Sequence, residues 1–320
     1  LHPPGLSITS FAVGRRGQFL AVGGTPTQVG VYYLDFTPRA GAKPRAKRLY
    51  RRVSPALSRK AAKQPVWVAV TPNRQWLLAH GGGFYLNRWA LVSGRLIPAW
   101  IPKKPPLKGL LPMHDNQRFV TLSGDRVVGW NLLRHKRFSF DALAKAYWMG
   151  VAPNNRQLVM LRGWDKMVAY DLPKGTVRWT AESGPLAEYE VLALCMTPRS
   201  KTVLTYHKNG FLRTYDLATG AVTARLRLTT PEPVQACSFR PDGRVLACAH
   251  RGGIELWEVP SGALLGTVPP PGKQRGQCKA RALVYSPKGI VLAVQNTKKQ
   301  LVIYSFDRPG EVKRYTSVEA

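Results

Sequence analysis

The sequence predicts an all-β chain of repeated four-stranded antiparallel units, and three observations predict it. First, one pattern returns seven times. Its clearest copy is SFRPDGRVLACAHRGGIELWEVPSGALLGTV, from Ser238 to Val268. A short apolar run ends in a Pro-Asp-Gly turn and a second apolar run follows. A glycine hairpin then leads to a run ending in an aromatic, and a Ser-Gly turn opens the last run. Second, the copies are evenly spaced. With the turn position at Arg15, Pro72, Asp115, Pro153, Pro198, Pro241 and Pro287, the steps after the first run from 38 to 46 residues. A propeller blade has a period of about 40–45 residues. Third, the runs are short and rich in β-branched residues, aromatics and leucine, such as VWVAV (66–70), with Gly, Pro and Asn clusters between them and no sustained helical period. The expected fold is a seven-bladed β-propeller of four-stranded antiparallel blades, forming a single domain over residues 1–320.

The elements can be justified in order. The first step, 57 residues, is long, and a basic insertion at about 36–65 accounts for it. Within it SPALSRKAAK (54–63) is the one candidate helical turn. The third strand of each copy has an aromatic position, read as Leu34, Trp89, Trp130, Tyr170, Tyr215, Trp257 and Tyr304. An acid follows it at Asp35, Asp171, Asp216 and Glu258. The hairpin before that strand uses turn formers, Asn209-Gly210 and Gly252-Gly253, which accept positive φ. The turn after it is again built on glycine, at Gly94, Gly175, Gly220, Gly262 and Gly310. The last run, EVKRYTSV (311–318), reads as the outer strand of the seventh blade.

The Pro-Asp-Gly-type turn, the Trp/Tyr-Asp/Glu pair and the glycine turn together resemble those of the WD-repeat propellers, over nearly all of the chain. The resemblance implies a non-catalytic scaffold that binds a partner protein or a neighbouring domain. The Gly-His dipeptide that opens a family repeat is missing here. Its buried Asp-His-Ser/Thr-Trp network should go with it, leaving the blades held mainly by apolar packing.

Composition bounds the rest. Hydrophobic content of 44% and nine tryptophans suit a packed core. No run of about eighteen apolar residues occurs, so no membrane span is expected. The start at Leu1 reads as a linker, so the chain reads as excised from or attached to a longer protein. The cysteines, Cys195, Cys237, Cys248 and Cys278, have neither C-x-x-C nor zinc spacing. Buried free thiols are the expectation, which favours a reducing, cytoplasmic compartment.

The formal net charge is +31, and its distribution is uneven. From Phe36 to His114 there is no Asp or Glu, while ten Lys and Arg fall between Arg39 and Lys63. The strand order places three basic connectors on one face, holding Arg59, Lys60 and Lys63, then Lys103, Lys104 and Lys108, then Lys273, Arg275 and Lys279. Trp164, at a hairpin tip on the same face, joins them as a candidate contact residue. The opposite face carries basic turns, with Arg156, Lys201 and Arg244 among them. The three connectors and Trp164, not the basic turns of the opposite face, are the candidate site for an acidic protein partner or domain. The alternative is nucleic acid or another polyanion, drawn by charge of this density. A merely solvated surface is the bland alternative.

Candidate chemistry is sparse. His80, His207 and His250 share the end of the second strand in three copies, which invites a metal, but repeat homology explains the same slot equally well. Gly81-Gly82-Gly83 is a hairpin turn rather than a phosphate loop, and no G-x-S-x-G elbow occurs. No catalytic residue, metal ligand or cofactor is expected, and the propeller is expected to be monomeric.

Overall fold

In a computed structural model, residues 7–318 are described except for 14–18, 26–27, 36–44, 54–65, 72, 74, 82–84, 101–106, 133–135, 143–145, 163–165, 183–190, 198–200, 229–232, 251, 260, 269–279, 287–290, 297–300 and 309–310. The described residues form strands and turns only. The chain divides into two compact units, the first mainly Leu1–Tyr147 and the second mainly Trp148–Val318. Each unit is a run of four-stranded antiparallel blades of the β-propeller type.

In the first unit, sheet 1 is β1 (Ser7–Val13), β2 (Phe19–Thr25), β3 (Gln28–Asp35) and β4 (Arg45–Val53). Sheet 2 is β5 (Val66–Val70), β6 (Trp76–Gly81), β7 (Tyr85–Ala90) and β8 (Leu96–Trp100). Sheet 3 is β9 (Leu107–Pro112), β10 (Arg118–Ser123), β11 (Arg126–Asn131) and β12 (Lys136–Asp141).

The second unit holds sheet 4, with β13 (Ala146–Val151), β14 (Gln157–Arg162), β15 (Lys166–Asp171) and β16 (Val177–Glu182). Sheet 5 is β17 (Val191–Met196), β18 (Thr202–His207), β19 (Phe211–Asp216) and β20 (Val222–Arg227). Sheet 6 is β21 (Ala236–Phe239), β22 (Val245–His250), β23 (Gly253–Glu258) and β24 (Leu264–Val268). Sheet 7 is β25 (Ala280–Tyr285), β26 (Val291–Asn296), β27 (Leu301–Arg308) and β28 (Glu311–Val318). In every sheet the strands lie in chain order.

Within each unit the first strands of successive sheets lie side by side, β1 with β5 and β5 with β9, then β17 with β21 and β21 with β25. The core is therefore a series of sheet-to-sheet layers. Leu161, Ala169 and Trp179 of sheet 4 meet Val203 and Tyr215 of sheet 5. Tyr206 and Leu212 of sheet 5 meet Cys248 and Trp257 of sheet 6. Ala247 and Ile254 of sheet 6 meet Leu292 and Tyr304 of sheet 7. In each layer the third-strand aromatic of the later sheet packs on the earlier one. Burying one such side chain contributes about 1.5–3 kcal/mol, so the recurring aromatic is what couples blade to blade.

The register corrects two sequence assignments. A bulge between the third and fourth strands precedes the aromatic, at Gly129/Trp130, Ala169/Tyr170, Thr214/Tyr215 and Leu256/Trp257. In sheet 1 it falls at Val31/Tyr32. Tyr32, buried, therefore fills the aromatic position, not Leu34, and all seven copies carry an aromatic. Asp35 leaves the set of acids that follow it.

The second correction is in the turn between first and second strands. Asn116 donates its N–H to Met113 O as Gly243 donates to Arg240 O, so His114, not Asp115, stands where Pro241 stands. Asp115 instead matches Asp242. Both accept amide N–H bonds from the turn, from Gln117 and Arg118 in one case and Arg244 in the other. The next position is left-handed, filled by Asn116 (φ 63°), Asn155 (φ 59°) or Gly243 (φ 73°). Asn and Gly are the residues that tolerate that conformation.

Candidate interaction surface

The basic segment is not an insertion throughout. Residues 45–53 pair with β3 along their whole length, from Asp35↔Arg45 to Gln28↔Val53, and form the outer strand of sheet 1. Its nine residues RAKRLYRRV carry Arg45, Lys47, Arg48, Arg51 and Arg52. Strand propensity and backbone pairing absorb a stretch that charge alone makes look like a loop. The candidate helical turn at 54–63 lies outside the described residues.

Of the predicted site residues, Lys108 lies on β9. Arg59, Lys60, Lys63, Lys103, Lys104, Trp164, Lys273, Arg275 and Lys279 lie outside the described residues. Many of the exposed described cations sit elsewhere, on outer strands and turns. Lys136 and Arg137 on β12, Arg178 on β16, and Arg225 and Arg227 on β20 are exposed, as are Arg156, Lys201 and Arg244 just ahead of the second strands. Arg178 is held by Asp171 at 2.7 Å and donates to Ala218 O at 3.1 Å. The Arg227 guanidinium lies 5.7 Å from the Phe211 ring centroid.

The outer strands also expose aliphatics that the sequence reading missed. The fourth-strand residue opposite the third-strand aromatic is Leu96, Val177, Val222 or Leu264 in sheets 2, 4, 5 and 6. Their exposures are 39%, 55%, 40% and 51%. A signal was available. Each follows its turn glycine by two residues, as in Gly175-Thr176-Val177 and Gly220-Ala221-Val222.

The acids after the aromatic serve the turns. Asp216 accepts N–H bonds from Ala218 and Thr219 at 2.9 and 2.8 Å and the Thr219 hydroxyl at 2.9 Å. These bonds, those of Thr219 foremost, hold its carboxyl below the usual carboxylate range. For Asp242, burial pushes the pKa up. The bonds from Arg240 and the Arg244 amide outweigh it and leave the net shift downward.

The histidines are buried, not displayed on a face: His80, His207 and His250 are each 3% exposed or less. They also do not share one slot. His207 and His250 stand four residues beyond the partner of the aromatic, and His80 stands three beyond. With side chains alternating across a strand, His80 belongs to the opposite face of its sheet. Among the described residues no three His, Cys, Asp or Glu side chains gather as metal ligands.

Beside the apolar layers, short polar contacts stand inside the blades. In sheet 6 the Gly252 N–H donates to His250 Nδ1 at 3.1 Å, and His250 Nε2 lies 3.5 Å from Glu255 Oε1 without a hydrogen bond to it. Glu255 Oε2 accepts the Trp257 indole N–H at 3.2 Å. In sheet 3 the Trp130 indole donates to Thr121 Oγ1 at 2.8 Å, and in sheet 5 Thr205 bonds His207 at 2.8 Å. An indole N–H shielded from water needs an acceptor, and Trp130 and Trp257 find different ones, Thr121 and Glu255. A cavity of about 10 Å³ beside His207, Thr205 and Lys166 has room for one water at most.

Cys195, Cys237 and Cys248 are free thiols. Cys237 and Cys248 face each other across β21 and β22, Sγ to Sγ 3.5 Å. Burial raises the Cys237 thiol well above its ordinary value and pushes Cys195 up to about 12.

No known family model and no curated protein matches the chain.

Proposed function

We propose that the chain is a divergent WD-repeat protein whose seven blades close into one ring, and that it acts as a non-catalytic interaction scaffold. Seven sheets of identical strand order, each with a buried or half-buried aromatic in the same register, support the ring. One observation carries the scaffold reading. Buried Glu255, Thr205, His207 and Thr121 make hydrogen bonds inside their own blades, as does His250 through Nδ1, whereas the outward strands present exposed cations and aliphatics. That division suits recognition rather than turnover. The partner is a protein or a neighbouring domain, with acidic groups to meet a chain of net charge +31.

The second reading, binding of nucleic acid or another polyanion, is favoured by β4 alone, where five cations fall in nine residues. One comparison separates the two. The chain is used as bait for proteins of a cell extract at physiological salt, and separately titrated with mixed RNA and DNA at low and moderate salt. A saturable protein partner that survives physiological salt supports the scaffold. Micromolar nucleic-acid binding with a steep salt slope, and no retained protein, replaces it with the second reading.

A further inference from the structure

We infer that the outer rim of sheets 4, 5 and 6 is a docking surface for a protein segment rich in aliphatic and acidic residues. The inference rests on the scaffold reading and names the surface and the partner chemistry. In these three successive sheets two slots repeat together. The fourth-strand residue opposite the aromatic is Val177, Val222 or Leu264, 55%, 40% and 51% exposed. The residue ahead of the second strand is Arg156, Lys201 or Arg244, and all three are exposed.

Both slots lie at the same end of their sheets. The backbone joins that end directly: Leu217 N–H donates to Lys201 O at 2.8 Å, and Val259 N–H to Arg244 O at 2.9 Å. Single exposed aliphatics are ordinary. Three in register, each with a cation at the same end, are not scattered.

The fold does not require them. The same slot opposite the aromatic holds Arg48 in sheet 1 and Lys136 in sheet 3, so a charged side chain is compatible with the blade.

The charges point to the occupant. The carboxylates at this end are already engaged: Asp171 by Arg178, Asp216 by its own turn, Asp242 by Arg240. Arg156 and Lys201 have no ion-pair partner among the described residues. The net offer is cationic and apolar, which an acidic, aliphatic segment complements. The exposed Val177, Val222 and Leu264 favour a protein segment over a nucleic acid, whose phosphate backbone has nothing apolar to lay against them.

The test uses the full chain and a labelled synthetic peptide of about 20 residues built from Glu, Asp, Leu and Ile. Fluorescence anisotropy follows binding to the native chain, to Val177→Ser/Val222→Ser/Leu264→Ser, and to Arg156→Glu/Lys201→Glu. All five positions are exposed, and thermal unfolding checks that each variant is folded. Saturable binding that weakens by about tenfold or more in both variants is the expected result. Binding that both variants retain overturns the rim, as does failure of the native chain to bind. Preference for phosphatidylserine vesicles over the peptide also overturns it, in favour of a lipid surface. The same variants are then used as bait in the extract experiment. Partner capture that both variants retain removes the rim and leaves the scaffold standing, whereas a native chain that captures nothing removes the scaffold itself.

Discussion

Burial acts most directly on the thiols. Cys195 is pushed up to about 12 first by burial and then by the nearby Asp242 carboxylate. Its folded pKa lies above its unfolded value of 9.0, so the stability it contributes is fully present below about pH 9 and is lost as pH rises towards 12. The thiolate is also the reactive form. Alkylation with iodoacetamide at pH 8, read by mass spectrometry of the peptide containing Cys195, should therefore be slow until urea unfolds the chain. The urea midpoint should hold steady up to pH 9 and fall above it, less steeply in Cys195→Ala. Rapid labelling of the native chain would show that the site is open. The Trp257–Glu255–His250 group makes the complementary point. The Gly252 amide orients the His250 ring, Glu255 accepts from Trp257, and all of them lie within a single blade.

Among the elements, the turn between third and fourth strands decides most. Its glycine is left-handed, φ +75° at Gly220 and +70° at Gly262, and it also closes on the preceding outer strand. A Cβ at Gly220 would stand 2.7 Å from the Trp179 ring, and one at Gly262 2.5 Å from Leu226. Gly175, which with Leu172–Lys174 groups with the first unit, closes on Phe140 in the same way. Gly220→Ala should cost about 1–3 kcal/mol from the two effects together. Adding Trp179→Leu should recover the contact part and leave the backbone part, which a double-mutant cycle by urea denaturation separates. No coupling between the two sites would mean that the ring does not obstruct a side chain at 220.

The same elements show how far the sequence could be read. The glycine turns, the Pro-Asp-Gly turns and the aromatic were legible because each is forced by local backbone chemistry or by packing on the next sheet. Tyr32 was missed because β3 runs two residues further past the aromatic than the third strands of sheets 4, 5 and 6, so Asp35 drew the assignment to Leu34, and only the pairing of Leu20 with Tyr32 sets the register. β4 was read as an insertion because five cations in nine residues resemble a solvated loop, whereas an outer strand tolerates charge along its free side. The polar networks were not legible because His250, Glu255 and Trp257 meet only after two strands pair. Most of the predicted connector cations lie outside the described residues. The rim is built instead of residues that each look unremarkable alone.

For the molecule as a whole, each layer of core is shared between two sheets, so each sheet is incomplete without its neighbour. In the second unit Ala247, Ile254 and Leu256 of sheet 6 are sealed by Leu283, Leu292, Val302 and Tyr304 of sheet 7. A chain ending after Val268 should expose that surface. It should bind a hydrophobic dye, elute as aggregates on gel filtration and lose a cooperative thermal transition. A monomeric, cooperatively folding product would show that sheet 6 seals its own face.

The glycine contacts carry one more consequence, for how such a chain can change over time. Gly220 is fitted to a tryptophan and Gly262 to a leucine. The joints are keyed, each to its own predecessor. Copying sheet 5 and inserting it after itself would set a second Gly220 against Leu226, leaving the space that Trp179 fills. Blades that look like interchangeable copies in the sequence have become parts with fixed places, and a duplication or reordering would have to recut both sides of every new joint.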